Sequence, residues 1–157
     1  MSKRILWGTR SEHHFAYAAS DMVAGEVILY LEGIPTEVAT RYSVQIGMSA
    51  HLAPTEAGPD ECPWIYTNHS CCPNAKVSGR NLVAIRDIKA GEEINFDYET
   101  TEFEMAEPFQ CLCGSSECRK SIRGYKFLDL ETRRRLRSST ADYLLDVEES
   151  VPAEIGS

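Results

Sequence analysis

Gly91-Glu92-Glu93-Ile94-Asn95-Phe96-Asp97-Tyr98 has the alternation of a strand: from Glu93 onward, polar and apolar residues take turns. At a period of two, Ile94, Phe96 and Tyr98 share one face and Asn95 and Asp97 the other. Two aromatic rings therefore look into the same space. A turn at residues 87–91 (DIKAG) leads into this strand, and residues 81–86 (NLVAIR) predict a short strand before the turn. Residues 21–28 (DMVAGEVI) resemble residues 87–94 (DIKAGEEI), with Ala-Gly-Glu between an apolar approach and a strand. Two copies make a recurrent turn, not a repeat architecture.

Farther out, residues 25–31 (GEVILYL) and 40–46 (TRYSVQI) predict strands, and the proline-rich stretch 53–63 predicts a loop. After Gly124 the character changes. Residues 128–137 (LDLETRRRLR) predict a helix with Asp129 as N-cap, and residues 140–147 a second short helix. Residues 148–157 are polar, contain Pro152 and Gly156, and are expected to fray.

The chain has 157 residues, enough for one domain with one core. At 43% hydrophobic and 25% charged, its composition is that of a globular protein, not a disordered one. No apolar run approaches the roughly 20 residues of a membrane span. The first ten residues carry no apolar run of signal-peptide type, so a cytoplasmic location is the default expectation, with nuclear and secreted-effector locations left open. Lys plus Arg is 16 and Asp plus Glu is 24, a net charge of −8. That balance argues against direct nucleic-acid binding and suits a basic protein partner, though it also serves plain solubility.

Cys111-Leu-Cys113-Gly-Ser-Ser-Glu-Cys118 puts three thiols within eight residues, with Gly114 to let the chain bend. A tetrahedral structural zinc needs a fourth ligand. Asn68-His69-Ser70-Cys71 offers either His69 or Cys71 from far upstream. Cys62 and Cys72 are left over as structural residues.

Three segments together carry a family resemblance. Asn68-His69-Ser70-Cys71-Cys72-Pro73-Asn74 resembles the Asn-His-Ser-Cys-x-Pro-Asn motif of SET-domain lysine methyltransferases. Residues 91–98 resemble that family's strand ending in Phe/Tyr-Asp-Tyr, and Cys111-x-Cys113-Gly-x-x-x-Cys118-Arg119 resembles its post-SET zinc motif. The order and separations also match, over residues 12–124. The resemblance implies a mainly β fold, the SET-domain β-clip of small curved sheets with few short helices. The Asn-His-Ser-Cys segment would thread a pseudoknot, an exception to unthreaded topology. It implies three parts: a SET domain at 1–106, a post-SET zinc segment at 107–124 and a C-terminal helical tail at 125–157.

The implied function is S-adenosyl-L-methionine-dependent protein-lysine N-methylation. By the resemblance, Tyr98 is the catalytic tyrosine, and Tyr42 is a second active-site hydroxyl. Asn68 and His69 bind the cofactor, Leu112 lies near its adenine, and Tyr17 belongs to the cofactor-binding segment. Phe96 lines the substrate channel. Cys71, Cys111, Cys113 and Cys118 hold one structural Zn2+. The chemistry is coherent with this. A free lysine has a pKa of about 10.4 and must lose a proton before its lone pair can attack a sulfonium methyl. An apolar aromatic channel lowers that pKa, and tyrosine hydroxyls then orient the neutral amine.

One departure matters. The family's N-terminal Gly-x-Gly is replaced here by the segment His13-His14-Phe15-Ala16-Tyr17, which has no glycine. Adjacent histidines on an extended chain point apart, which disfavours a metal site at His13 and His14. The alternative reading is a non-catalytic, zinc-stabilised SET-fold module that binds a peptide.

Overall fold

The computed structural model describes residues 4–150. The strands are β1 (Ile5–Arg10), β2 (His13–Ala18), β3 (Val27–Tyr30), β4 (Ile34–Thr36), β5 (Val44–Gly47), β6 (Ala50–Ala53), β7 (Asn68–His69), β8 (Ala75–Ser78), β9 (Asn81–Ala84), β10 (Asn95–Phe96), β11 (Phe109–Gln110) and β12 (Ser121–Ile122). They form small sheets in the orders β1-β2, β3-β9-β8, β4-β6-β5, β10-β7 and β11-β12. Two helices follow, α1 (Leu130–Leu136) and α2 (Asp142–Ser150). This is the mainly β architecture expected from the sequence.

The sheets pack around one apolar core. Alternation decides which residues enter it: Ala75 and Val77 of β8 and Leu82 and Ala84 of β9 point inward. Ile28, Leu31, Leu52, Ile88 and Ile94 are among the fully buried residues around them, with Ile5 and Met22. The two look-alike segments turn out to be partners. Met22 and Ile88 exchange both backbone hydrogen bonds, the Asp21 carboxylate accepts the Ala90 N–H, and the Asp87 carboxylate accepts the Ala24 N–H. Gly25 and Gly91 have φ of 93° and 86°, a left-handed conformation that fixes glycine at both turns.

Several elements differ from the sequence expectation. The strand expected over residues 93–98 ends at Phe96. The Asp97 side chain accepts the Glu99 N–H and caps a short 3-10 turn, Tyr98–Thr100, so capping overrides the alternating pattern. Asp97, on the face opposite Phe96, is also buried, at 1% exposed. The strand expected at residues 40–46 begins only at Val44, because Thr40 and Ser43 close a turn with each other. The β1–β2 hairpin was not foreseen. Its tip holds Ser11 and Glu12 at φ of 48° and 71°, where glycine or asparagine is the usual signal.

The C-terminal segment closes over the residues that follow Tyr98. Asp129 caps α1 as expected, accepting the Thr132 N–H. Leu144 of α2 is fully buried, and the Tyr143 hydroxyl donates to the carbonyls of Gln45 and Thr101. α2 runs to Ser150, and the remaining residues expected to fray, 151–157, lie outside the described residues. Among the described residues, no helix is long and apolar enough to cross a membrane.

Candidate active site and cysteine cluster

β7 and β10 run parallel, pairing Asn68 with Asn95 and His69 with Phe96. This is where the resemblance puts its chain crossing. Asn74 locks the two segments together. Its side-chain oxygen accepts the Asn95 N–H, and its amide donates to the Glu93 carbonyl. The Asn95 side chain returns the bond by accepting the Asn74 N–H.

The crossing forms one wall of a cavity of about 970 Å³. That is room for a cofactor and a side chain together, at the upper end of the roughly 300–1,000 Å³ of ordinary ligand pockets. Tyr42, Asn68, His69, Phe96, Tyr98 and Leu112 all line it. Tyr17 does not. It lines a smaller depression beside Trp7 and stacks near Phe15.

Phe96 and Tyr98 keep the common space that the alternation implied, with ring centres 5.0 Å apart. The Tyr98 hydroxyl donates to the Thr67 carbonyl at 2.7 Å. Its proton is thereby committed, and its oxygen lone pairs are left to accept from a guest. Burial, reinforced by the Glu102 and Glu93 carboxylates, pushes the phenol up, so Tyr98 stays protonated and is no base. Phe109 stands edge-on to both Tyr98 and His69 and makes the cavity more aromatic. Tyr42 is half exposed at the cavity, and Leu112 is 93% exposed, an apolar side chain with nothing covering it.

The segment lacking the family's glycines forms β2. None of its residues adopts positive φ; the left-handed positions fall at Ser11 and Glu12 instead. The His14 carbonyl accepts the Asn68 amide at 3.0 Å, and the Glu93 carboxylate accepts it at 3.3 Å. The His14 ring stacks on Tyr66 and meets the Thr9 hydroxyl. Among the described residues, neither His13 nor His14 joins a group of three metal-binding side chains.

The four cysteines do gather. The sulfurs of Cys71, Cys111, Cys113 and Cys118 all lie within 4.8 Å of one another. A tetrahedral zinc with bonds of about 2.3 Å spaces its sulfurs about 3.8 Å apart. Cys71 and Cys111 are 3.9 Å apart, so the donor set and spacing fit. Gly114, at φ 74°, makes the bend that brings Cys118 back. Of the two upstream candidates, Cys71 enters the cluster. His69 stands behind it, its Nε2 at 3.3 Å from the Cys71 sulfur.

A model of the SET domain matches residues 13–99, more than half of the chain. The chain belongs to the SET-domain family. The match closes just after Tyr98, so the cysteine tail lies beyond it. Methyltransferase flvH of Aspergillus flavus is 36% identical over 95 residues, 58% of this chain and 50% of that protein. The histone-lysine N-methyltransferase, H3 lysine-9 specific, KMT1 of Fusarium mangiferae is 36% identical over 80 residues, 38% of this chain and 23% of that protein. This SET chain thus spans half or less of the length of these relatives. Among solved structures, KRYPTONITE in complex with mCHG DNA and SAH aligns with a TM-score of 0.55 at 19% identity, covering 72% of this chain and 27% of that one. That likeness concerns the fold.

Sequence reasoning missed three residues of this SET site. Thr67 supplies the carbonyl that holds Tyr98, and a backbone acceptor leaves no trace in residue type. Arg119 lies inside the quoted cysteine motif. Its guanidinium binds both oxygens of Asp97, at 2.6 and 2.7 Å, and Glu99 at 2.9 Å. Glu102 belongs to an acidic run that reads as solvated loop, yet it is 7% exposed and lines the cavity.

Proposed function

We propose that this SET-domain chain is an S-adenosyl-L-methionine-dependent protein-lysine N-methyltransferase with one structural zinc. The observation that carries the reading is Tyr98, its hydroxyl fixed on Thr67, in an aromatic cavity shared with Asn68, His69 and Phe96. The relatives named as histone-lysine methyltransferases support it. Bound S-adenosylmethionine supplies the methyl group. Asn68 would hold its methionine end, the His69 backbone its adenine, and Leu112 would cover the adenine. Phe96, Tyr98 and Phe109 exclude water around the lysine and favour its neutral amine. The Tyr98 oxygen accepts one amine hydrogen and so aims the lone pair. Tyr42 would be a second hydroxyl for the same amine, and Tyr17 a support for the cofactor-binding segment.

Cys71, Cys111, Cys113 and Cys118 would hold the zinc. With four sulfurs there is no open position for water, so its contribution is to pin residues 107–124 to the body. On this division residues 1–106 would be the SET body and residues 125–157 the C-terminal helical tail, in which Leu144 of α2 is fully buried. The substrate is a basic lysine-containing protein, attracted by the chain's net charge of −8. The DNA of the KRYPTONITE complex belongs to that protein and is no part of this reading.

Two measurements test the function. Calorimetry should show S-adenosylmethionine binding, and labelled cofactor should pass its methyl to core histones or to lysate proteins. Peptide binding with no transfer in either assay would instead establish the non-catalytic module.

A further inference from the structure

Glu102 follows Tyr98 by one short turn, and its N–H bonds the Tyr98 carbonyl at 2.9 Å. The two residues are therefore held together, and both line the same cavity. Oε2 of Glu102 is fully used. It accepts the Gln45 N–H at 2.8 Å and the Thr101 hydroxyl at 2.9 Å. Among the described residues no hydrogen bond reaches Oε1, and the atom is not sealed from the solvent of the cavity. Among the described residues no ion pair neutralises the group. Tyr98 faces it from its own turn and Tyr143 from α2, both kept protonated by burial and by the field of Glu102 itself. Arg41 and Glu107 also line the cavity.

A carboxylate in an aromatic wall is costly unless something uses it. Burial pushes its carboxyl up to about 7, against the pull of the Gln45 N–H and the Thr101 hydroxyl. A group with that affinity takes up and releases a proton near neutral pH. The reaction gains from such a group, because the lysine arrives as ammonium and Tyr98 cannot accept its proton.

On the methyltransferase reading, we propose that Oε1 of Glu102 receives the ammonium of the target lysine and takes one proton from it. The N–H bond breaks, its electron pair stays on nitrogen, and Glu102 becomes a neutral carboxylic acid. The lone pair then forms the new N–C bond as the S–C bond breaks toward sulfur. The products are a methylated ammonium and S-adenosylhomocysteine. Glu102 returns its proton to solvent through the cavity mouth.

The test follows methyl transfer from labelled S-adenosylmethionine to core histones between pH 6 and 9. Wild type, Glu102→Gln and Glu102→Asp are compared, beside melting curves and calorimetric cofactor binding. Glutamine still accepts from Gln45 and Thr101 but cannot take a proton. The wild-type kcat should rise through an inflection near pH 7. Glu102→Gln should lose that inflection and fall about 10²-fold or more at neutral pH, the usual scale for a lost general base, with the gap narrowing toward pH 9. Glu102→Asp should keep the inflection at a lower rate, and both variants should bind cofactor like wild type. A Glu102→Gln enzyme that keeps the inflection, or loses the same factor at every pH, overturns the proposal alone. Should Glu102→Gln not fold, a Glu102→Asp profile without the inflection overturns it equally. A wild type that transfers no methyl to histones or lysate proteins overturns the methyltransferase reading and this proposal with it.

Discussion

Arg119→Met should be among the most damaging single substitutions in this protein, and the structure sets the scale. Asp97 and Glu99 have side chains 1% and 2% exposed, and Arg119 is their shared cation, itself 12% exposed. Glu99 also accepts the N–H groups of Arg123 and Gly124, and Asp97 caps the turn that begins at Tyr98. Methionine keeps most of the apolar stem and removes the charge. Two carboxylates then remain buried without an ion-pair partner, Asp97 keeping only the weaker field of Arg135. Breaking a buried pair in this way costs about 3–5 kcal/mol. At roughly 2–4 °C per kcal/mol for a chain of this size, the melting temperature should fall by about 6–20 °C.

The pH dependence has a definite sign. Burial already holds Asp97 above the usual carboxylate range, against the pull of Arg119. Removing that pull raises its folded-state pKa further. An acid whose folded pKa is raised loses stability as pH climbs from its unfolded value through its folded one. The deficit of Arg119→Met should therefore be full at pH 8 and shrink toward pH 5. Thermal melts followed by circular dichroism at both pH values, with metal content measured in parallel, check this. A fall under about 2 °C at pH 8 would be far below the expected range. That result, or a loss equal at both pH values, would refute the claim that Arg119 neutralises the buried carboxylates.

Three further outcomes are expected. Tyr98→Phe keeps the ring contacts with Phe96, His69 and Phe109 but loses the positioning oxygen, so kcat should fall about 10²-fold or more with cofactor affinity retained; transfer at the wild-type rate would clear Tyr98 of the role. Phe96→Tyr places a hydroxyl beside Tyr98 and should shift products from di- and trimethyl-lysine toward monomethyl-lysine. If Phe96 is only packing, the product ratio stays put and the unpaired hydroxyl costs about 1–3 kcal/mol, which peptide mass spectrometry beside a melting curve will show. Elemental analysis of protein prepared without chelator should give one zinc per chain, lost in Cys113→Ser together with the order of residues 107–124; a wild type without zinc removes the metal from the account.

What the sequence revealed of the site follows from the range of each interaction. Cys111, Cys113 and Cys118 were legible because three ligands within eight residues need no tertiary knowledge. Spacing alone left the fourth open between His69 and Cys71, two residues apart in extended chain and pointing the same way; the family resemblance chose Cys71, which is the one in the cluster. That common direction is why His69 ends up against the cluster instead of in it. The alternation of 91–98 found the shared space of Phe96 and Tyr98 correctly, but for a strand longer than the one formed, because the side-chain cap of Asp97 lies outside any period-two argument. Glu102 and Arg119 were illegible as site residues. Their burial depends on distant segments, with α2 anchored beside Glu102 through Tyr143. Charged residues in polar loops otherwise read as solvated.

The cysteine cluster and the tyrosine are joined by two routes that meet at the Cys71 sulfur, so a metal held there would bear on the proposed chemistry without performing it. His69 accepts the Tyr98 N–H at Nδ1, so in its neutral form the ring carries its proton at Nε2, which faces the Cys71 sulfur. Burial, with Arg119 adding to it, lowers the His69 pKa to about 4 and keeps that neutral form at physiological pH. On the other side, the Arg119 backbone N–H also donates to the Cys71 sulfur, while its guanidinium grips the carboxylate that caps the Tyr98 turn. A thiolate accepts both donors better than a thiol does, and metal binding is what keeps a buried cysteine deprotonated. Burial alone pushes the Cys71 thiol up, toward the weaker acceptor. On the zinc-site proposal, a metal in the cluster would strengthen both contacts, and through His69 and Asp97 the backbone at Tyr98.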